Sequence, residues 1–164
     1  MVKLSMTHLE SKILNIQLKV NITDVALKLV TPTIQWVGGK KRLLPKIISK
    51  LPKTYKKYHE LFLGGGALLF KLLPDVVESY EINSRLVDLY NIIKLRPHDL
   101  IRELQTVETE YNALTREERK IYYLNLRDKF NSLIDTDSNK FQRSVYFKII
   151  NKTCFNALYR ENSK

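Results

Sequence analysis

A chain of 164 residues with 44% hydrophobic residues is long enough for one ordinary domain, and this composition excludes wholesale disorder. Its 28 basic and 17 acidic residues leave a formal net charge of +11, which points to a polyanionic partner, nucleic acid first and a membrane surface second. The competing explanation of this charge is an AT-rich genome, which favours lysine codons and so makes many of its proteins basic.

The cysteine and histidine content excludes two further classes of protein. One cysteine, Cys154, rules out an intramolecular disulfide, and the three histidines do not share metal-ligand spacing with it, so we expect no metal site.

No apolar run approaches the roughly 20 residues that span a bilayer, and the N-terminus is too polar for a secretory signal. We therefore expect a cytoplasmic protein with no membrane partner.

Residues 1–31 form the first segment, an N-terminal extension to which we assign no role. Apolar residues alternate with polar ones over 14–22, which is typical of a strand, and residues 24–29 fit a short helix. Pro32 marks the boundary of this segment.

All five glycines of the chain lie in two clusters, at residues 35–41 and 60–67. Glycine concentrated at loop-to-helix junctions indicates a backbone that approaches another group closely. Between Val37 and His59 the chain has eight basic residues and no acidic one. This basic stretch predicts a helix with Pro45 in or near its first turn, and its charged side either faces phosphate or is simply a solvated helix face.

Residues 58–81 predict two strands around a helix. A buried strand at 58–63 runs into the triple glycine, a helix follows at 67–73, and a second strand at 76–81 ends on Glu81. The order of strand, glycine loop, helix, strand and acid predicts the start of a parallel, doubly wound α/β sheet.

Only helical periodicity follows this second strand. Asn83 or Ser84 can cap the next helix, and Thr115 with Glu118 forms a capping box that opens a later one. No strand pattern occurs from residue 97 to residue 152, so this part predicts a helical subdomain. Its predicted helices are, in order, 100–114, 115–133 and 140–151.

A glycine turn followed by a carboxylate is a nucleotide-binding pattern. Gly64 and Gly66 supply the turn, and Glu81 follows fifteen residues after Gly66, where it can accept hydrogen bonds from ribose hydroxyls. This pattern fits binding sites for nicotinamide dinucleotides, flavins and S-adenosylmethionine alike. Leu69 occupies the place of the third glycine of the dinucleotide fingerprint, which disfavours a pyrophosphate ligand.

With these residues in view, the chain resembles the DNA adenine methylase family, adenine-specific methyltransferases that use S-adenosylmethionine. The resemblance covers residues 32–164 and rests on four stretches in the family's order. They are similar to the N-terminal cofactor motif, the F-x-G-x-G motif, the ribose motif and the start of the DNA-recognition segment, at residues 32–45, 62–70, 80–90 and 151–160.

The resemblance implies a partial Rossmann-like methyltransferase sheet at 32–96 and a truncated helical target-recognition portion at 97–164. It also implies roles for particular residues, with double-stranded DNA as the partner. Cofactor binding is expected at Trp36, Gly39, Lys40, Phe62, Gly64, Gly66 and Glu81. DNA binding is expected at Lys41 and Arg42 of the basic stretch and, from the resemblance, at Phe155, Asn156, Leu158 and Arg160. Phe155 and Leu158 also fit a second interpretation, as core residues at a helix end.

The family's catalytic tetrapeptide, Asp-Pro-Pro-Tyr, is missing from these residues, because no two of the five prolines are adjacent. We therefore assign no catalytic residue and expect a methyltransferase fragment that is inactive alone, from a truncated or split gene such as a degraded restriction–modification locus. A second polypeptide carrying the tetrapeptide would restore activity. The alternatives are a non-catalytic DNA-binding remnant and, less favoured, a fragment of a nicotinamide oxidoreductase.

Overall fold

A computed structural model describes residues 2–6, 32–155 and 159, with residues 2–6 described by their backbone alone. The strand predicted at 14–22 and the helix predicted at 24–29 lie outside the described residues. The chain divides into two compact units, Met1–Ile82 and Asn83–Lys164. The domain boundaries drawn from the sequence stay a prediction.

A small mixed sheet forms the centre of the first unit. In the described residues its strands are β1 (Val2–Met6), β2 (Tyr58–Glu60) and β3 (Val77–Glu81), in the spatial order β1-β3-β2. Strands β2 and β3 are parallel, with Tyr58 opposite Val77, and β1 is antiparallel to β3, with Val2 opposite Glu81. The expected α/β character and the parallel pair are confirmed, whereas β1 was missed by the sequence analysis.

Apolar side chains pack the helices of the first unit onto this sheet. A 3-10 helix at Lys40–Leu43 continues into α1 (Leu44–Ile48), with Pro45 in its first turn, and α2 (Ala67–Leu72) connects β2 to β3. The apolar residues of the basic stretch pack against the core, so the charged residues of the stretch lie on its opposite side. The core cluster contains Tyr58, Leu68 and Val77, with Leu44, Ile47, Ile48, Leu51, Leu69 and Leu72 against it.

The described part of the second unit is helical. Its helices are α3 (Ser84–Leu95), α4 (Pro97–Ala113), α5 (Arg116–Asp135) and α6 (Lys140–Thr153). None of the helices in the part of the chain that the structure describes is both long and apolar enough to cross a membrane.

Side-chain caps mark where α3 and α5 of the second unit begin. The Leu86 N–H donates to Asn83 Oδ1 over 3.0 Å, which confirms the predicted cap of α3. At α5 both halves of the predicted capping box form, because Thr115 accepts from the Glu118 backbone and the Thr115 N–H donates to Glu118 Oε2 over 2.8 Å. The Thr115 hydrogen bonds hold the pKa of Glu118 below its usual value.

A buried ion pair joins α3 to α6. Arg143, only 5% exposed, donates through Nη2 to Asp88 Oδ2 and through Nη1 to Asp137 Oδ1, the latter over 2.7 Å. Burial alone would lower the pKa of Arg143, but its hydrogen bonds to the two aspartates raise it above its usual value. Val145 and Phe147, which follow Arg143 in α6, are fully buried. The same helix therefore contributes a buried charge and apolar side chains to the core.

Candidate cofactor site

A cavity of about 280 Å³ lies in the first unit, where both glycine clusters meet the end of β3. Its walls come from the two glycine-containing loops and from Glu81 at the end of β3. Its lining residues are Trp36, Val37, Gly38, Gly39, Lys40, Phe62, Leu63, Gly64, Gly65, Ala67 and Glu81.

The triple glycine is explained by the segment that packs on it. Gly64 has a φ of +52°, and a Cβ atom there would lie 3.1 Å from Cδ1 of Trp36. A Cβ atom on Gly65 would lie 3.2 Å from the backbone oxygen of Ile34. The close approach expected from the sequence therefore includes the chain's own residues 34–36, which lie against the glycine loop.

Glu81 ends β3 at the cavity and is held there by two backbone donors. The Gly64 N–H donates to Oε2 over 2.8 Å, and the Ile82 N–H donates to Oε1 over 2.9 Å. Glu81 is 7% exposed. Because two peptide groups orient its carboxylate, Glu81 presents a fixed acceptor at the cavity wall.

A second buried acid, Glu60, lies at the end of β2. The Lys40 ammonium donates to Glu60 Oε1 over 2.9 Å and also to the Phe62 carbonyl oxygen, while the Tyr58 hydroxyl donates to Glu60 Oε2 over 2.9 Å. Burial raises the pKa of Tyr58, and the neighbouring Glu60 raises it further. Glu60 was not predicted as a site residue, although an acid inside a predicted buried strand signals a paired charge.

The structure brings most of the predicted cofactor residues together. Six of the seven line the cavity, whereas Gly66 does not and instead precedes α2 with a φ of +71°. Their roles in binding stay predictions. The prediction did not include several residues that also line the cavity, namely Val37, Gly38, Leu63, Gly65 and Ala67.

The predicted DNA-binding residues lie in different parts of the chain. Lys41 and Arg42 are exposed in the 3-10 helix of the first unit. Phe155 follows α6 in the second unit and is 86% exposed, so the interpretation of Phe155 as a core residue is wrong. Asn156, Leu158 and Arg160 lie outside the described residues.

The basic stretch has an unusual share of the charge of the chain. Its eight basic residues and absence of acids contribute +8 of the net +11. Within the residues that the structure describes, Lys40 pairs with Glu60 and Lys57 pairs with Glu78, and the other six basic residues of the stretch have no acidic partner. A uniformly lysine-rich composition would not concentrate charge in this way.

No group of three or more histidine, cysteine, aspartate or glutamate side chains is arranged to hold a metal ion in the part of the chain covered by the structure.

Comparison with known protein families gives the identification. The model of the D12 class N6 adenine-specific DNA methyltransferases matches residues 36–164. The chain belongs to this family. The resemblance to the DNA adenine methylases stated from the sequence motifs is thereby confirmed, and the matched D12 residues include most of both glycine clusters, Glu81 and the helical unit.

Individual relatives support the assignment to the D12 family. The chain is 40% identical over 144 residues to the type II methyltransferase M.MjaIII of Methanocaldococcus jannaschii, with 82% of this chain and 50% of the relative covered. It is 35% identical to the type II methyltransferase M1.LlaDCHI of Lactococcus lactis subsp. cremoris, with 81% and 44% covered. It is 33% identical to the DNA adenine methylase of Escherichia coli K12, with 79% and 43% covered. The chain therefore spans about half the length of the curated relatives it matches.

Proposed function

We propose that this chain supplies the S-adenosylmethionine site, and part of the DNA-binding surface, of an enzyme that methylates the exocyclic amine of adenine in DNA. The observation that carries the proposal is the fixed Glu81 carboxylate facing a cavity built from both glycine clusters. Family membership supports the reaction class. We further propose a Rossmann-like sheet that extends beyond the strands described, and a cytoplasmic location.

The residues at the cavity suit the groups of this cofactor. When bound, S-adenosylmethionine supplies a methyl group on a cationic sulfur that a nucleophile can attack. Glu81 would accept hydrogen bonds from the ribose hydroxyls, because each carboxylate oxygen offers about two acceptor sites. The wall formed by Trp36, Gly39 and Lys40 would enclose the methionine end. At about 280 Å³ the cavity is slightly smaller than the roughly 300 to 1,000 Å³ of typical ligand sites, so we expect further residues to complete it.

Methyl transfer to adenine also requires the base to leave the duplex and its weakly nucleophilic amine to be oriented. These 164 residues contain no Asp-Pro-Pro-Tyr sequence. We propose that this tetrapeptide is supplied by sequence outside these residues, in the same polypeptide or in a second one. The target-recognition role of the helical unit belongs to the same proposal, with exposed Phe155 as its candidate DNA contact.

Fluorescence of Trp36 provides the test of cofactor binding. Trp36 is the only tryptophan, lines the cavity and lies against the glycine loop. Titration with S-adenosylmethionine is expected to give a saturable change in its emission, whereas NAD⁺ at the same concentration is expected to give none. No change in a chain shown to be folded by circular dichroism would contradict the cofactor assignment and leave a DNA-binding remnant.

The basic stretch gives a separate prediction about DNA. Replacing Lys41 and Arg42 together with alanine is expected to reduce the slope of log K against log salt concentration by about 2, because each phosphate contact contributes about one released counterion. The measurement is fluorescence anisotropy of a labelled duplex at several salt concentrations.

The matched control for that experiment replaces Arg116 and Lys120, an exposed arginine and lysine in a segment that also carries Glu117 and Glu118. Because Glu117 and Glu118 offset most of the positive charge of this segment, the replacement is expected to leave the slope nearly unchanged. Equal slopes for the wild type and the Lys41 and Arg42 variant would show that these residues form only a solvated face.

A further inference from the structure

Glu60 is an acid that the cofactor assignment does not use, although it lies next to the cavity. It is 5% exposed, and a carboxylate buried to this degree is strongly unfavourable unless a cation or hydrogen-bond donors compensate it. Two donors do so here. Lys40 donates to one carboxylate oxygen and Tyr58 to the other, each over 2.9 Å.

Lys40 and Glu60 each lie next to a glycine-containing loop that lines the cavity. Lys40 directly follows Gly38 and Gly39, which line one wall of the cavity, and Glu60 directly precedes the loop from Leu61 to Gly66, whose residues 62–65 line another. The Lys40 ammonium also donates to the Phe62 carbonyl oxygen, inside that second loop. The Lys40 side chain therefore connects the first glycine segment to Glu60, 20 residues later in the chain, and to the loop that follows Glu60.

We infer that Glu60 is a positioning residue for the cofactor cavity: by holding Lys40, it fixes the first glycine segment against the second. Tyr58 supports this role because its hydroxyl occupies the other carboxylate oxygen and restricts the orientation of Glu60. Glycine loops have large conformational freedom, so a link of this kind acts with the packing of Trp36 on Gly64 to fix their separation. The consequence for cofactor affinity rests on the proposed function, whereas the link itself does not.

Hydrogen exchange in the protein without added ligand tests the link directly. In Glu60→Gln, which keeps the shape of the side chain and removes its charge, amides of residues 36–40 and 61–64 are expected to exchange at least about tenfold faster, as the loss of a charge-assisted hydrogen bond implies. The two segments are expected to change together. Affinity for S-adenosylmethionine, read from Trp36 fluorescence, is expected to fall by a similar factor.

Two further variants complete the test. Lys40→Met breaks the same link from its other end, where the side chain is 31% exposed, so it provides the measurement if Glu60→Gln does not fold. The double variant Glu60→Gln with Lys40→Met is expected to exchange no faster than Lys40→Met alone, since Lys40→Met already removes the contacts of this side chain with both Glu60 and Phe62. The matched control is Glu78→Gln, which breaks a lysine ion pair of 2.8 Å on the neighbouring strand, away from the cavity-lining residues.

The outcomes separate the two proposals. Faster exchange in only one segment, additive effects in the double variant, or an equal effect of Glu78→Gln would overturn the positioning role of Glu60. Coupled exchange in both segments without any response of the wild type to S-adenosylmethionine would support the link and contradict the proposed function.

Discussion

Replacing Glu81 with glutamine is expected to weaken S-adenosylmethionine binding at least about a hundredfold. Two ribose hydroxyls would donate to this carboxylate, and hydrogen bonds to a charged group are each worth about 1.5 to 3 kcal/mol. Glutamine keeps an oxygen that can accept from the Gly64 N–H, which donates to Glu81 Oε2 over 2.8 Å. The glycine loop therefore keeps its anchor, while the Ile82 N–H, which donates to Oε1 over 2.9 Å in the wild type, loses its acceptor together with the ligand.

Isothermal titration calorimetry or Trp36 fluorescence would measure this loss, with two comparisons. Glu78→Gln makes the same chemical change three residues earlier on β3, at a side chain that does not line the cavity, and it is expected to leave affinity within about twofold of wild type. Glu81→Asp keeps the charge but shortens the reach by one methylene, and an intermediate affinity is expected. Unchanged affinity in Glu81→Gln would remove Glu81 from the ribose site.

Replacing Arg143 with methionine is expected to lower the free energy of unfolding of the helical unit by about 3 kcal/mol. Removing one partner of a buried ion pair leaves the other charge without compensation, which typically costs about 3 to 5 kcal/mol. Asp88, the partner that would be left without Arg143, is only 8% exposed in this structure. The expected value is at the lower end because Lys140 Nζ lies 3.5 Å from Asp88 Oδ1 and can compensate in part.

Urea unfolding followed by circular dichroism at 222 nm would measure this change, because the described part of the second unit is helical. Arg102→Met is the matched control, since Arg102 is 74% exposed and its 2.6 Å pair with Asp99 lies at the surface, where ion pairs contribute little. The double variant Arg143→Met with Asp88→Leu is expected to recover most of the stability, because it removes both buried charges. Equal stability of Arg143→Met and wild type would show that the pair does not stabilise the fold.

Several elements of the fold were predictable because their causes are local. Thr115 and Glu118 lie three residues apart, which allows a capping box to be identified from spacing alone, and the structure contains it. The parallel strands β2 and β3 were predicted from short apolar runs on either side of a helix. Their ends were less well predicted, since β2 stops at Glu60 rather than continuing to residue 63.

Strand β1 was missed although Val2, Leu4 and Met6 alternate with Lys3 and Ser5, which is the pattern of a half-buried strand. Its partner could not be predicted, because β3 lies more than 70 residues away in the chain. The site shows the same limit. Glu81 could be predicted from its distance to the glycine turn, whereas Glu60 could not be assigned a partner before Lys40 was located.

The order of the motifs along the chain was by itself enough to determine the family and the candidate cofactor residues, since backbone approach and ribose binding each require particular residue types at short spacing. Only the tertiary structure decided which charges are buried together. Lys40 meets Glu60 across 20 residues and Arg143 meets Asp88 across 55. The physical reason is that a charge leaves water only where the folded chain supplies its partner, and that partner can lie anywhere in the sequence.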